Sequence, residues 1–263
     1  LTSLPPLSRW TFYVATAGAA LVSGALAMGR IESRAWAAGA VCGYLSLVAI
    51  GLKKPSLRMF TDALVRAHDG ATIVVDVEHD PSSKGSIAAL CALFEAHDAR
   101  ATLALTMDTA IAHSSALQAA LERGHSVALV DRQPPERHER ALSRGADLDA
   151  RITELERDRA AWNEHFPKIP APDLWFARGL YTPALQRLAD TFDRTLVVAS
   201  HDLRGPSRSP IAERVELELE LGAILRVEDS PSFRAALPTV LAAAARLGVP
   251  VRALVSQDAA QEA

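Results

Sequence analysis

Seven short apolar runs constrain this chain more than any other feature. ATIVVDV (71–77), ATLAL (101–105), HSVALV (125–130), DLWFA (173–177), TLVVAS (195–200), AILRV (223–227) and VPVRALV (249–255) are five to seven residues long and rich in β-branched or aromatic side chains. Runs this short and this uniformly apolar suit strands covered on both faces, as in a parallel sheet. Between them, residues 87–97, 110–123, 148–166, 183–191 and 233–247 carry apolar side chains at helical spacing, and Gly124 and Gly248 stand where a helix would end. Strand then helix, repeated, predicts an α/β domain with a mainly parallel sheet, either open or closed into a barrel. The segment VELELEL (215–221) fits either state, because it alternates like a strand while Ile211, Val215 and Leu219 recur every fourth residue. A helix is slightly favoured there.

The N-terminal part has a different composition. Residues 10–29 form an uncharged run of 20, residues 30–34 a polar break, and residues 35–52 a second uncharged run of 18. Each is about long enough to cross a hydrocarbon core of roughly 30 Å as a helix. The expected organisation is an N-terminal segment (1–9), a transmembrane hairpin (10–52), a basic linker (53–66), the α/β domain (67–258) and a short tail (259–263). Gly18, Gly24, Gly39 and Gly43 would let the two helices approach closely. The chain is thus expected to be an integral protein of a bacterial inner membrane, contacting lipid through two helices. Arg9, Lys53, Lys54 and Arg58 flank the hairpin, against Arg30 and Arg34 in its turn, and this surplus leans toward a cytoplasmic domain.

Charge and cysteine content exclude other classes. A formal net charge of -3 over 263 residues offers no basic surface for a run of phosphates, which sets nucleic-acid binding aside. The two cysteines, Cys42 and Cys91, lie in dissimilar settings, one apolar and one amphipathic, which argues against a disulfide or a thiolate metal site.

The order IVVDVEHDPSS, DARATLAL, LERGHSVALVD, LWFARGLYTPALQRLA, LVVASHD, LGAILRVEDS and LPTVLAAAARLGVPVRAL resembles the polysaccharide deacetylases of the NodB-homology type, carbohydrate esterase family 4, over about residues 56–255. The resemblance implies a distorted (β/α) barrel with its site at the C-terminal ends of the strands. It also implies a chemistry in which a divalent metal polarises an N-acetyl carbonyl and activates water. A carboxylate takes the proton, and an acid protonates the leaving amine. Family members with a membrane anchor place the domain outside the cell, opposite to the lean of the charge count.

Laid on the family's first motif, VDVEHDP puts Glu78 on the base and His79 on the metal-binding Asp; a shifted register uses Asp76 and Glu78 instead. Acids in this position also cap the following helix. The family's two ligand histidines fall on Val130 and Pro134, neither of which binds metal. His125, in the preceding Gly-His, is expected near the cleft in a structural role, and Asp131 and His138 are the substitute ligands within reach in sequence. The Arg that orients the base in the family falls on Trp175, with Arg178 and Tyr181 in the same stretch. The closing motif reads RVED, with Glu228 at the position of the acid His and Asp229 retained, and Asp202 falls near a further polar position. These replacements imply a degenerate member of the family, a pseudoenzyme with no bound metal, binding an envelope glycan or a protein partner. Two alternatives stand beside it. One is an active N-deacetylase with a zinc-like ion held by a rebuilt site of Asp76, Glu78, His79, Asp131 or His138. The other is a structural membrane scaffold that binds no sugar.

Overall fold

The structure is a computed structural model, and it describes residues 42–43, 67, 70–77, 86–130, 146–176, 183–205, 207 and 209–255. The chain divides into two compact units, Leu1–Ala63 with Leu180–Arg187, and Leu64–Gly179 with Leu188–Ala263. In the first, Cys42 and Gly43 are helical and residues 183–187 begin a helix. The expected hairpin, linker and tail otherwise lie outside the described residues, among which no helix is long and apolar enough to cross a membrane. Both cysteines are free, and Cys91 is buried.

The second unit is built on a seven-stranded sheet. Its strands are β1 (Thr72–Asp76), β2 (Thr102–Leu105), β3 (Ser126–Val130), β4 (Leu174–Phe176), β5 (Thr195–Leu196), β6 (His201–Asp202) and β7 (Ile224–Glu228). Helices α1 (Ser86–Glu95), α2 (Met107–Ala112), α3 (Ser114–Glu122), α4 (Ala146–His165), α5 (Pro183–Thr191), α6 (Ile211–Glu218) and α7 (Pro231–Leu247) are interspersed among them. The spatial order is β5-β4-β3-β2-β1-β7-β6, every pairing parallel.

Connectivity forces this sheet to curl. Laid flat, a sheet of seven strands would hold its edge strands about 29 Å apart, at roughly 4.8 Å per interval. Yet the edges β5 and β6 are consecutive in the chain, and the step from Leu196 to His201 spans about 18 Å at most. The result is a curled half-barrel open between β5 and β6, in keeping with the expected distorted barrel.

Side chains alternate across the sheet, so each strand feeds two cores. Toward the helices point Ile73, Val75, Leu103, Leu105, Val127, Leu129, Leu225 and Val227, which pack with Phe94, Trp162 and Phe233. Toward the barrel interior point Val74, Ala104, Ala128, Val130, Leu174, Phe176, Val197 and Ile224.

The last apolar run, 249–255, forms no strand beyond a single parallel bridge, Ala71 to Val251. It crosses at the N-terminal ends of β1 and β2 instead. Arg100 N–H donates to Val251 O, Thr72 Oγ1 to Arg252 O, and Leu254 N–H to Thr102 Oγ1. Leu254 thereby enters the inner core and closes the barrel floor. The crossing leaves no room at Gly70, where an added Cβ would lie 2.2 Å from Pro250 O and φ is +134°.

Two further elements depart from expectation. The helix predicted over 110–123 is two helices that break at His113, with Thr106 capping the first by accepting from Thr109 N–H. Strand β6 has no counterpart among the predicted runs, because two polar, part-exposed residues carry no hydrophobic signal. The ambiguous segment is helical: α6 buries Val215 and leaves Leu217 exposed. Helix α7 shows the expected punctuation, with Ser230 accepting from Phe233 N–H at its start, Pro231 in its first turn and left-handed Gly248 at its end.

Candidate functional site

At the C-terminal ends of the strands the interior turns from apolar to charged. Asp76 ends β1, and its register partner Glu228 ends β7. Because Ile224, Arg226 and Glu228 share one face of β7 by alternation, Arg226 also projects into the barrel. Its Nε donates to Asp76 Oδ1 at 2.9 Å, and its guanidinium lies over the Phe176 ring, 4.8 Å from the centroid. From the other side Arg204, just beyond β6, donates from Nη1 to Asp76 Oδ2 at 2.7 Å. Arg204 also grips Asp202, with its Nε on Oδ1 at 2.8 Å and its Nη2 on Oδ2. Burial pushes the Asp202 carboxyl up, but the hydrogen bond and charge of Arg204 outweigh that and hold it below the usual Asp range. The Arg204 guanidinium is correspondingly held in its charged form by Asp202 and Asp76.

This network borders a cavity of about 600 Å³, whose lining includes Asp76, Thr106, Val130, Asp202, Arg204 and Glu228. The volume falls within the range of small-ligand sites, and the position is where (β/α) barrels carry function. Arg226 is nearly enclosed, and its Nη2 has no hydrogen-bond partner, a donor that an ordered water or a ligand oxygen would satisfy.

The other residues expected at the cleft are dispersed. Trp175 alternates with Leu174 and Phe176 and so faces outward, where the Arg151 guanidinium stacks on it 5.2 Å from the ring centre. His125 opens β3 at the opposite end of the barrel: its Nδ1 accepts from Ala101 N–H at 3.1 Å, which puts the ring proton on Nε2, facing Glu95 Oε1 at 3.1 Å. Burial holds the His125 imidazolium below its usual pKa, against the pull of Glu95. Trp175 is therefore corrected from cleft to scaffold, and His125 keeps the expected structural role but at the far end of the barrel from the cleft. Asp229 N–H donates to Asp76 O, while its carboxylate is gripped by Arg234 Nε and Nη2, each at 2.6 Å. It ties the start of α7 to β1 rather than facing a ligand. Glu78, His79, Asp131, His138, Arg178 and Tyr181 lie outside the described residues.

No protein-family model matches the sequence, and no curated protein matches it. Solved structures do match. A family 4 carbohydrate-esterase pseudoenzyme from Bacillus anthracis superposes with a TM-score of 0.56 at 14% identity, over 75% of this chain and 69% of that one. A family 4 carbohydrate esterase from Streptomyces lividans gives 0.56 at 20% identity, over 70% and 91%. Peptidoglycan deacetylase PdaC from Bacillus subtilis gives 0.53 at 13% identity, over 74% and 90%.

The chain has the fold of the family 4 carbohydrate esterases. Within that fold, the described residues do not fit the divalent metal that the resemblance implies. Val130, which the resemblance lays on a ligand position, is buried. Both oxygens of Asp76 are bonded to guanidinium groups, whose positive charge opposes a cation beside them. Among the described residues no group of three His, Cys, Asp or Glu is placed to hold an ion. Two residues central to this arrangement were missed in the sequence. Arg226 had a signal, since a charge inside an otherwise apolar strand must find a partner. Arg204 had none, because a two-residue strand brings it to Asp76 across 128 positions of chain.

Proposed function

We propose that the α/β unit is a non-hydrolysing, glycan-binding derivative of the carbohydrate-esterase fold, tethered to the bacterial inner membrane through residues 10–52 and presented to an envelope glycan. The observation that carries this reading is the double pairing of Asp76. A carboxylate that must take a proton from water needs an oxygen turned to the reacting water, whereas here each oxygen receives an arginine N–H. The cavity beside it keeps the size and mixed polarity of a sugar site. One of the proteins sharing the fold is itself a pseudoenzyme, and a mutant of that protein has restored enzymatic activity, which makes loss of hydrolysis on this scaffold a known state.

The test combines three measurements on the full chain: metal content after loading with zinc, acetate release from chitooligosaccharides, and binding of the same oligosaccharides by calorimetry. Saturable binding without stoichiometric metal or acetate release is expected. Chelator-sensitive acetate release would replace this reading with an active deacetylase, and absence of any glycan binding would replace it with a structural scaffold.

A further inference from the structure

Resting on the glycan-binding reading, we infer that the cavity at the strand ends selects sugars bearing a free, protonated amine over their N-acetylated counterparts, with Glu228 as the group that receives the ammonium. The argument is one of charge left over. Around the cavity, Arg226 and Arg204 supply two positive charges, and Asp76 and Asp202 consume them through the contacts described above. Glu228 lines the same cavity, is exposed, and has no partner among the described residues. The one uncompensated charge on this described wall is therefore a carboxylate, free to accept from an ammonium or a hydroxyl.

The rest of the described wall suits a sugar ring. Ala104 and Val130, on the inward face of the sheet, offer a small apolar surface for the C–H face. The Thr106 and Thr109 hydroxyls, 3.0 Å apart, can pass a hydrogen bond on to ring hydroxyls. An acetamido group gives the Glu228 carboxylate one neutral N–H, whereas an ammonium gives it up to three donors and a full opposite charge. An anionic sugar would meet the uncompensated carboxylate and be repelled.

The test is calorimetry on the full chain with three probes: the glucosamine trimer, the N-acetylglucosamine trimer, and spermidine as a cation without a sugar. The glucosamine trimer should bind about two- to fivefold more tightly than the N-acetyl trimer, a preference of the size one exposed charge pair can supply. The Glu228→Gln variant should lower glucosamine-trimer affinity about two- to fivefold, to about that of the N-acetyl trimer. Equal or tighter binding of the N-acetyl trimer overturns the amine preference and leaves the glycan reading standing. Binding of neither trimer overturns both. Spermidine binding as tightly as the glucosamine trimer overturns the sugar assignment, and an unchanged affinity in Glu228→Gln overturns the role of Glu228.

Discussion

Replacing Asp76 by asparagine separates a structural network from a working base. The Arg226 side chain is 7% exposed and that of Asp76 12%, so the variant would leave a guanidinium inside the barrel without its counter-charge. At 2.9 Å the gross attraction is about 6 kcal/mol with an effective dielectric constant near 20. Breaking such a pair from one side costs about 3–5 kcal/mol. Arg204 adds less than about 1 kcal/mol, since its side chain is 32% exposed and it keeps Asp202. A loss of about 3 kcal/mol is expected in urea unfolding, or a melting point lower by about 6–12 °C for a unit of this size. Adding Arg226→Met to Asp76→Asn should recover most of that loss, because it removes the stranded charge and keeps an apolar contact with Phe176. A Asp76→Asn variant as stable as the parent, or more stable, would refute the reasoning. That is the behaviour of a carboxylate held in a destabilised site for function.

Other expectations follow from the scaffold. His125 is held neutral by burial, so its folded pKa lies below the 6.5 of the unfolded chain. Its contribution to stability is therefore complete above about pH 6.5 and falls as acidification lets the unfolded chain take up a proton that the folded chain refuses. Melting curves of the parent should drop more steeply between pH 7 and 5 than those of His125→Asn, which keeps an acceptor for Ala101 N–H but cannot titrate; parallel curves would contradict the assignment. Gly70→Ala should destabilise by about 2 kcal/mol or more, since the methyl meets Pro250 O in a conformation that disfavours any side chain. Unchanged unfolding would show that the C-terminal segment does not cross there.

Much of the molecule was legible from one-dimensional pattern. Six of the seven apolar runs became strands because a buried parallel strand needs only local apolarity, and Pro183–Thr191 was a helix with the bounds its spacing predicted. The seventh, 249–255, has the same local chemistry and is excluded from the sheet, since β7 already occupies the place beside β1. His125 and Trp175 went astray for another reason. Correspondence of motif gives a position along the strand, but the end of the barrel and the face of the sheet are set by register and alternation.

The sequence alone determined the alternation of strand and helix, because this depends on side-chain type at a given place in the chain. Only the tertiary structure decided what became of the site. Asp76, Asp202, Arg204 and Arg226 form one network through contacts spanning up to 150 residues of chain. Parallel pairing of β7 with β1 on one side and with β6 on the other is what brings them within hydrogen-bonding distance. A charge has no meaning for function until its partner is known, and here the partners lie on neighbouring strands rather than nearby along the chain.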